Sequence, residues 1–412
     1  MPIYIKANLM CDFACKYCYE NPFKPEEYEK IDWEAVEKTI RELHPKIGNP
    51  NKKRGEASYV GLHGGEPLIM PKDRIEACLK LGYELDGRSS IQTNGYHIDD
   101  DIVEMFKKYK TGVGISIDGP WPLSELRGKG TPEQRKKQVE QTLRNLDRLQ
   151  QEGIHPSVIC VIHKHNALGD RREILKNWVR ELHSKRVSGR LNPCCCGNPD
   201  IDLTPEEAAD FYTDMYDFML ENGIGGWSPF KDMVNSLRGN DQVVCVFRSC
   251  DPYCTPSCIP VFKDGSTGVC LRLYTDGKMY LRSDSKSDIR DQVLSQTDCK
   301  GCKYWKNCYG GCIGLSVDFD WRNKDRFCLM YKTLFGRIEN TFKSLGIDVV
   351  APPPPRKTGV GKTSGGDGHW DGIEHIDGEN KHLDSSIEGK TAQSDHWDGI
   401  EHLDGEHKHL DG

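Results

Sequence analysis

The sequence predicts an α/β fold, a parallel sheet wound by helices, followed by a small cysteine-rich domain and a disordered repeat tail. Short β-like runs alternate with helical stretches through residues 1–195, which is the pattern of parallel β/α units. From Cys245 to Cys328 the chain becomes cysteine-rich and turn-rich, and its last residues form an acidic repeat. With 412 residues the chain is long enough for two domains and a tail.

Six strands alternate with helices in the first region. The predicted strands are 3–8, 58–63, 90–93, 112–117, 157–162 and 186–191, and the predicted helices are 32–43, 72–85, 99–109, 132–151 and 170–182. Further helices are expected in 204–238, where Thr204 is a good N-cap and Pro205 a good first helical residue, and in 327–345. Parallel β/α units place their functional loops at the carboxyl ends of the strands.

Composition excludes several classes of function. Charged residues make up 29% of the chain and the net charge is −7. This mild negative charge gives no reason to propose nucleic acid as a partner, since that usually needs a clustered basic face. The N-terminus lacks the pattern of a signal peptide, and no stretch reaches the roughly 18 apolar residues of a membrane span. We therefore expect a cytoplasmic protein with no membrane partner. In a reducing compartment, its 18 cysteines indicate metal ligands or reactive thiols.

Composition also divides the chain into five parts. They are an α/β region 1–195, a helical bridge 196–244, a cysteine-rich domain 245–348, a Pro/Gly linker 349–366 and a tail 367–412. The tail contains two copies of one segment, starting at His369 and His396, that agree at 14 of 16 positions. Such acidic, Gly- and His-rich sequence has too few apolar residues to fold alone.

Three cysteines near the start, Cys11, Cys15 and Cys18, form C-x3-C-x2-C in the loop after the first predicted strand. Three thiolates can hold three irons of a [4Fe–4S] cubane and leave the fourth iron open to a chelating ligand. Zinc is the alternative, but a zinc site would need a fourth ligand nearby, and no histidine follows within twenty residues.

This motif resembles that of the radical S-adenosylmethionine (SAM) superfamily, which carries C-x3-C-x-aromatic-C after the first strand of a partial (β/α)6 barrel. Tyr17 fills the aromatic position, and Gly64-Gly65-Glu66-Pro67 is similar to the family's GGEP. The resemblance implies that the reduced cluster cleaves SAM to a 5′-deoxyadenosyl radical, which removes hydrogen from a substrate. It also implies that Glu66 binds the SAM ammonium and that the glycines let the backbone approach the ligand.

The same resemblance implies further SAM contacts at the ends of later strands. These are Thr93 and Asn94 after the third strand, Ser116 and Asp118 after the fourth, Arg127 as a carboxylate partner and Ile162 as a wall for the adenine. Each signal is weak alone, but together they follow one another in the order of the predicted strands.

A second set of cysteines, in CKGCKYWKNCYGGC and beyond, resembles the SPASM domain, which binds auxiliary [4Fe–4S] clusters. By that resemblance Cys299, Cys302, Cys308 and Cys328 hold one auxiliary cluster, and Cys312 joins a second one. The upstream ligands of the second cluster would come from Cys250, Cys254, Cys258 and Cys270, because the family's usual cysteine position is Arg282 here. One or two auxiliary clusters are therefore expected, and a zinc ribbon is the alternative reading.

The remaining cysteines carry weaker signals. Cys194, Cys195 and Cys196 follow the sixth predicted strand and are either reactive thiols, metal ligands or structural residues. Adjacent side chains point in different directions, so a cubane shared among them is sterically awkward. Cys245 is expected to bind no cluster, and Cys78 and Cys160 are expected in the core.

SPASM-type radical SAM enzymes commonly modify peptides, and the tail is the main clue to the substrate. An aromatic residue two positions before Asp resembles the substrates of cyclophane-forming maturases. The candidate modified residues are His375, Asp377, His382, Asp384, His402, Asp404, His409 and Asp411, with Trp370 and Trp397. A linker of this length spans several tens of Å, so the tail is a candidate substrate in cis. The alternatives are a metal-binding tail or one with no specific role.

Other functions are compatible with part of the pattern. One is an anaerobic sulfatase-maturase-like enzyme that acts in trans on a Cys or Ser, and another is a thioether-forming maturase acting on a separate peptide. The tail has no cysteine, so it cannot be a thioether substrate. The non-enzymatic alternative is a metal-binding scaffold. For the enzyme readings, a donor such as ferredoxin or flavodoxin is expected to supply electrons.

Overall fold

Seven parallel strands form one open sheet in a computed structural model that describes residues 2–20, 30–47, 55, 59–239, 258–268, 270–271, 293–320 and 322–350. The strands are β1 (Ile3–Ile5), β2 (Val60–Leu62), β3 (Ser90–Thr93), β4 (Gly112–Ser116), β5 (Ser157–Ile162), β6 (Gly189–Pro193) and β7 (Ile259–Val261). Their order is β6-β5-β4-β3-β2-β1-β7, and each neighbouring pair is parallel. The sheet is an unclosed partial barrel, which confirms the predicted α/β class.

Helices connect the strands and continue beyond β6. They are α1 (Trp33–Ile47), α2 (Lys72–Asp86), α3 (Asp100–Lys108), α4 (Pro132–Gln151), α5 (Lys164–Ala167), α6 (Asp170–Ser184), α7 (Pro205–Glu221), α8 (Phe230–Leu237), α9 (Trp305–Cys308) and α10 (Cys328–Ser344). Short 3-10 helices cover Pro67–Ile69, Ile313–Leu315 and Val317–Phe319. Within the part of the chain that the structure describes, no helix is both long enough and apolar enough to cross a bilayer.

Local sequence explains where the helices begin. The predicted cap of α7 is confirmed, since the Thr204 hydroxyl accepts the N–H of Glu207 and the Glu207 carboxylate accepts the N–H of Thr204. Thr131 and Gln134 form the same capping box at α4, with Pro132 as the first helical residue. These caps satisfy backbone donors that have no partner within the helix.

Two strands differ from the sequence-based prediction. β7 was not predicted, because its three residues include Pro260 and lie in turn-rich sequence; proline is tolerated there because β7 is the outermost strand of the sheet. β6 begins at Gly189 rather than near 186, because Arg186 adopts a left-handed conformation and the N–H of Val187 still bonds to Leu182 at the end of α6. β1 and β2 lie within their predicted ranges but are shorter, and the positions of the remaining strands and of the long helices agree with the prediction.

Two groups of buried residues fill the interior. The main core lies between the sheet and its helices and extends to α7, α8 and α10, which pack together. The smaller one, which we call the loop cluster, contains Phe13, Cys15, Tyr17, Leu126, Cys194 and Ile201, with Cys11, Cys18, Tyr96, Val161 and Cys196 packed against it. The loop cluster therefore joins the first cysteine motif to residues that follow β4 and β6.

Candidate active site

The first three cysteines lie in the loop that follows β1, at the carboxyl edge of the sheet. Their side chains all belong to the loop cluster, and Cys15 is buried while Cys11 and Cys18 are half-buried. Backbone hydrogen bonds fix this loop: Ala14 donates to Gly128 at 3.2 Å and Lys16 donates to Leu126 at 2.9 Å. These contacts with other protein segments hold the loop in place.

Gly64 and Gly65 follow β2 and pack directly against this loop. A Cβ atom on Gly65 would lie 2.1 Å from the Met10 carbonyl oxygen, and one on Gly64 would lie 2.2 Å from that of Asn8. The N–H of Gly65 donates to the Asn8 carbonyl at 3.0 Å. These glycines therefore admit the backbone of the cysteine loop at close range, and their predicted contact with a ligand stays a prediction.

Glu66 is a buried carboxylate at the same edge. One oxygen accepts the N–H of Leu68 at 2.9 Å and the Thr93 hydroxyl at 2.6 Å, and the other accepts the N–H of Asn94 at 2.6 Å. Burial raises the pKa of Glu66 to about 7, although these hydrogen bonds oppose the rise. Three predicted SAM contacts, Glu66, Thr93 and Asn94, are thus brought into one hydrogen-bonded unit.

A second buried network joins three other predicted contacts. The Tyr17 hydroxyl donates to the Asp118 carboxylate, and the Arg127 guanidinium donates to the Tyr17 oxygen at 2.9 Å. The other Asp118 oxygen accepts the N–H of Val161 at 2.8 Å. Burial raises the pKa of the Tyr17 hydroxyl well above its usual value, so Tyr17 keeps its proton. The cysteine loop is thereby tied to the ends of β4 and β5.

The last two predicted contacts lie on neighbouring strands. The Ser116 hydroxyl, at the end of β4, accepts a hydrogen bond from the Gln92 amide at 2.8 Å. Ile162 is fully buried in the main core, whereas its neighbour Val161 packs against the loop cluster. Side chains alternate along a strand, so Val161 rather than Ile162 faces the cysteine loop.

Sequence reasoning did not identify Asp12 or its partner His97, although it did identify Asn94. The Asp12 carboxylate bonds to His97 at 2.7 Å and accepts the Asn94 amide at 3.3 Å. Burial is the largest single influence and raises the pKa of Asp12, but the hydrogen bond and charge of His97, together with the other hydrogen bonds to the carboxylate, outweigh burial and lower the pKa. That hydrogen bond also raises the pKa of His97. The only sequence feature that could have indicated a role for Asp12 is its position directly after Cys11.

Residues 8–177 match the family model of the radical SAM superfamily. The chain carries a radical SAM domain. Enzymes of this superfamily use SAM and [4Fe–4S] clusters. The matched range begins just before the first cysteine motif and ends within α6, so it covers the carboxyl ends of β1 to β5.

The chain is similar to sulfatase-maturating enzymes and to a radical SAM cyclopropyl synthase. The chain is 26% identical to a serine-type anaerobic sulfatase-maturating enzyme of Bacteroides thetaiotaomicron, over 76% of this chain and 82% of that protein. It is 22% identical to the radical SAM cyclopropyl synthase TigE of Paramaledivibacter caminithermalis, over 83% and 75% of the two chains. The structure of native anSMEcpe with bound AdoMet and the Cp18Cys peptide has a similar fold, with a TM-score of 0.63 and 19% identity over 84% and 99%.

The residues of the domain fit the cofactors that its family uses. Three thiols that share one buried cluster are a suitable donor set for three irons of a cubane. Buried charges of both signs, from Glu66, Asp118 and Arg127, lie at the same edge of the sheet and suit a ligand that carries an ammonium and a carboxylate.

The cysteines after β6 are divided between the two interior clusters. Cys195 belongs to the main core, whereas Cys194 and Cys196 belong to the loop cluster. The Cys194 thiol is hydrogen-bonded to the Cys196 sulfur, which lowers the pKa of Cys196. The three adjacent thiols therefore do not converge on one point, as the sequence predicts. Cys78 and Cys160 are buried core residues, as predicted.

Four cysteines of the predicted SPASM domain surround one small cavity. Cys299, Cys302, Cys308 and Cys328 line it, together with aromatic residues such as Tyr304. Cys312 is not among the residues that line this cavity; its N–H donates to the Asp325 carboxylate at 2.9 Å. This grouping is the one expected if the four share an auxiliary cluster and Cys312 belongs elsewhere.

The upstream cysteines are only partly within the described residues. Cys258 directly precedes β7, and both Cys258 and Cys270 lie close enough to the buried Lys6 ammonium to favour its charge. Burial nevertheless lowers the pKa of Lys6, which pairs with Glu20. Cys245, Cys250, Cys254 and Arg282 lie outside the described residues, as does the whole tail with all ten of its candidate modified residues.

Proposed function

We propose that this radical SAM enzyme is a peptide maturase that crosslinks residues of a ribosomally made peptide, with its own C-terminal repeats as the substrate. The observation that supports this most is the convergence, at one edge of the sheet, of the cysteine loop with the Glu66 and Asp118 networks. The similarity to TigE and to peptide-bound anSMEcpe supports a peptide as the substrate class.

In this proposal Cys11, Cys15 and Cys18 hold the SAM cluster, and the protein orients SAM. Glu66 receives the ammonium, and Arg127, already charged and buried beside Asp118, receives the carboxylate. With these cofactors bound, the site supplies a carbon radical that removes a hydrogen atom. Buried Thr93, Asn94 and Tyr17 keep the two networks rigid and exclude water from them.

The repeats provide the residues to be joined. Each His-x-Asp unit places an aromatic ring two positions before an Asp. The repeats contain six such units, three in each copy, because His369-Trp370-Asp371 and His396-Trp397-Asp398 also fit the pattern. A crosslink joins a ring carbon to the Asp β-carbon: the β-carbon loses a hydrogen atom, the ring loses a proton to a base, and one electron leaves. We propose that the auxiliary cluster of Cys299, Cys302, Cys308 and Cys328 accepts that electron and passes it to a ferredoxin- or flavodoxin-type carrier.

The test is anaerobic incubation of the full chain with SAM and a reductant, followed by mass spectrometry of the tail. The expected result is release of 5′-deoxyadenosine and loss of two hydrogens per crosslink, located within a His-x-Asp unit. The matched control replaces the Asp of every His-x-Asp unit by Gly, because glycine has no β-carbon to join and every ring stays in place; the positions are Asp371, Asp377, Asp384, Asp398, Asp404 and Asp411. SAM cleavage with an unchanged tail mass would contradict the proposal.

A second candidate function is favoured by the sulfatase-maturating relatives. In it the enzyme acts in trans on a Cys or Ser of another protein. Incubation with synthetic sulfatase-type peptides that contain either residue distinguishes the two functions. Oxidation of such a peptide while the tail mass stays unchanged would favour this function over the first.

A further inference from the structure

The residues after β6 bring two thiols and one carboxylate together beside the loop cluster. The N–H of Cys194 donates to the Ile162 carbonyl at 2.8 Å, so the chain continues alongside β5 beyond the end of β6. Residues two apart along an extended chain point to the same side, which is why Cys194 and Cys196 share the loop cluster while Cys195 enters the main core. The alternation makes Cys194 and Cys196 a chelating pair.

Asp202 folds back onto this pair. Its carboxylate accepts the N–H of Cys196 at 3.0 Å and the N–H of Gly197 at 2.8 Å. The Cys196 sulfur lies 3.3 Å from Asp202 Oδ1, and the ligand atoms of Cys194, Cys196 and Asp202 all lie within 4.8 Å of one another. Backbone donors of this kind commonly orient a metal-binding carboxylate.

The charges around the three groups are suited to a divalent cation. Two thiolates and a carboxylate carry three negative charges, and the guanidinium of Arg326 lies 3.9 Å from Asp202. One divalent cation together with Arg326 would neutralise the set. Sulfur ligands select softer metals, and zinc binds such mixed sulfur and oxygen sets with four ligands.

We propose that Cys194, Cys196 and Asp202 bind one zinc ion whose fourth coordination position is open to water or a substrate group. The ligands of this site differ from the SAM-cluster cysteines, which follow β1 and pack in the same loop cluster, and from the cysteines that line the SPASM cavity. Three protein ligands and one open position are the arrangement of zinc sites that take an exogenous ligand. The site goes beyond the proposed function and does not depend on it.

The test measures zinc bound by the full chain after anaerobic reconstitution with iron and sulfide. The protein is exposed to Zn²⁺, desalted and analysed by plasma mass spectrometry. We expect about one zinc ion per chain, and we expect Cys194→Ala and Cys196→Ala to lose it. Cys195→Ala is the matched control, since that residue lies between the two and faces the main core; it should keep the zinc. Equal zinc content in all three variants, or none in the unaltered protein, would overturn the site.

Two further measurements keep the proposal testable if a cysteine variant does not fold. Asp202→Asn retains an oxygen acceptor for the Cys196 and Gly197 N–H groups, so it preserves the loop; we expect zinc affinity to fall at least about tenfold in chelator competition. X-ray absorption at the zinc edge should give two sulfur ligands and two oxygen or nitrogen ligands. An unchanged affinity, or a shell of three or four sulfurs, would place the zinc on other cysteines and contradict the assignment.

Discussion

Single buried side chains define the candidate active site, and Glu66 is the one whose charge state is most open to test. It is 1% exposed, its hydrogen-bond donors are neutral, and Asp12 nearby disfavours a second negative charge. Burial therefore raises its pKa to about 7. Below that pH the folded protein holds Glu66 as a neutral acid, and above it as a carboxylate that attracts an ammonium.

SAM affinity should consequently increase with pH through about 7. Below this pKa we expect the affinity to fall by up to about tenfold per pH unit, because binding must first remove the proton from Glu66. Anaerobic equilibrium dialysis of SAM between about pH 6 and 8 measures this. Glu66→Gln should bind weakly with no such pH dependence, and the exposed Glu84→Gln should behave like the unaltered protein. A flat profile in the unaltered protein would contradict the proposed role of Glu66.

Tyr17 is the second residue whose role can be isolated. Tyr17→Phe removes the hydroxyl that donates to Asp118 and accepts from Arg127, and it leaves two buried charged groups less well satisfied. We expect a loss of about 1–3 kcal/mol in the free energy of unfolding, measured by denaturant titration of the apoprotein.

The matched control for that change is Tyr109→Phe. The Tyr109 hydroxyl also bonds to a carboxylate, but its partner Glu76 is at the surface, so we expect a loss within about 0.5 kcal/mol. If both variants lost a similar free energy of unfolding, the Tyr17 network would stabilise the protein no more than a surface hydrogen bond does.

At the scale of elements, the contact between the β2 end and the cysteine loop is the tightest feature of the site. Gly65→Ala would place a methyl group against the Leu9 and Met10 carbonyls, which are backbone atoms and cannot rotate away. We expect the loop to shift, the iron bound by the first cysteine motif to decrease, and stability to fall by about 1–3 kcal/mol.

Gly112→Ala tests whether any added methyl group has this effect. A Cβ atom there would meet nothing nearer than Arg88 at 3.4 Å, which is an ordinary contact, so iron content and stability should be unchanged. Iron content is measured after anaerobic reconstitution. A Gly65→Ala protein with full iron content would contradict the packing role.

The elements also show how far sequence reasoning reaches. The long helices and β3, β4 and β5 could be predicted because their apolar periodicity and caps are local signals, as at Thr204 and Thr131. β7 could not, because three residues with a proline become a strand only through pairing with β1. Likewise, motif position located Asp118, but its hydrogen-bond partner comes from a distant part of the sequence: Tyr17 lies 101 residues away.

On the scale of the whole molecule, one sheet edge joins segments that are far apart in the chain. All described residues belong to a single unit, in which the cysteine loop after β1, the β4 and β5 ends and the residues after β6 share the loop cluster. The SPASM-like cysteines form a separate group around their own cavity. The two groups should therefore load iron independently.

Iron counting after anaerobic reconstitution tests this independence. Replacing Cys11, Cys15 and Cys18 together by Ala should remove about four irons and abolish SAM cleavage, while about four to eight irons remain. Replacing Cys299, Cys302, Cys308 and Cys328 should remove about four irons from the other group and leave SAM binding intact. Cys78→Ala, in the main core, is the control for a lost thiol. If either set of substitutions removed all the iron, the two groups would be one cooperative centre, and the assignment of separate clusters would be wrong.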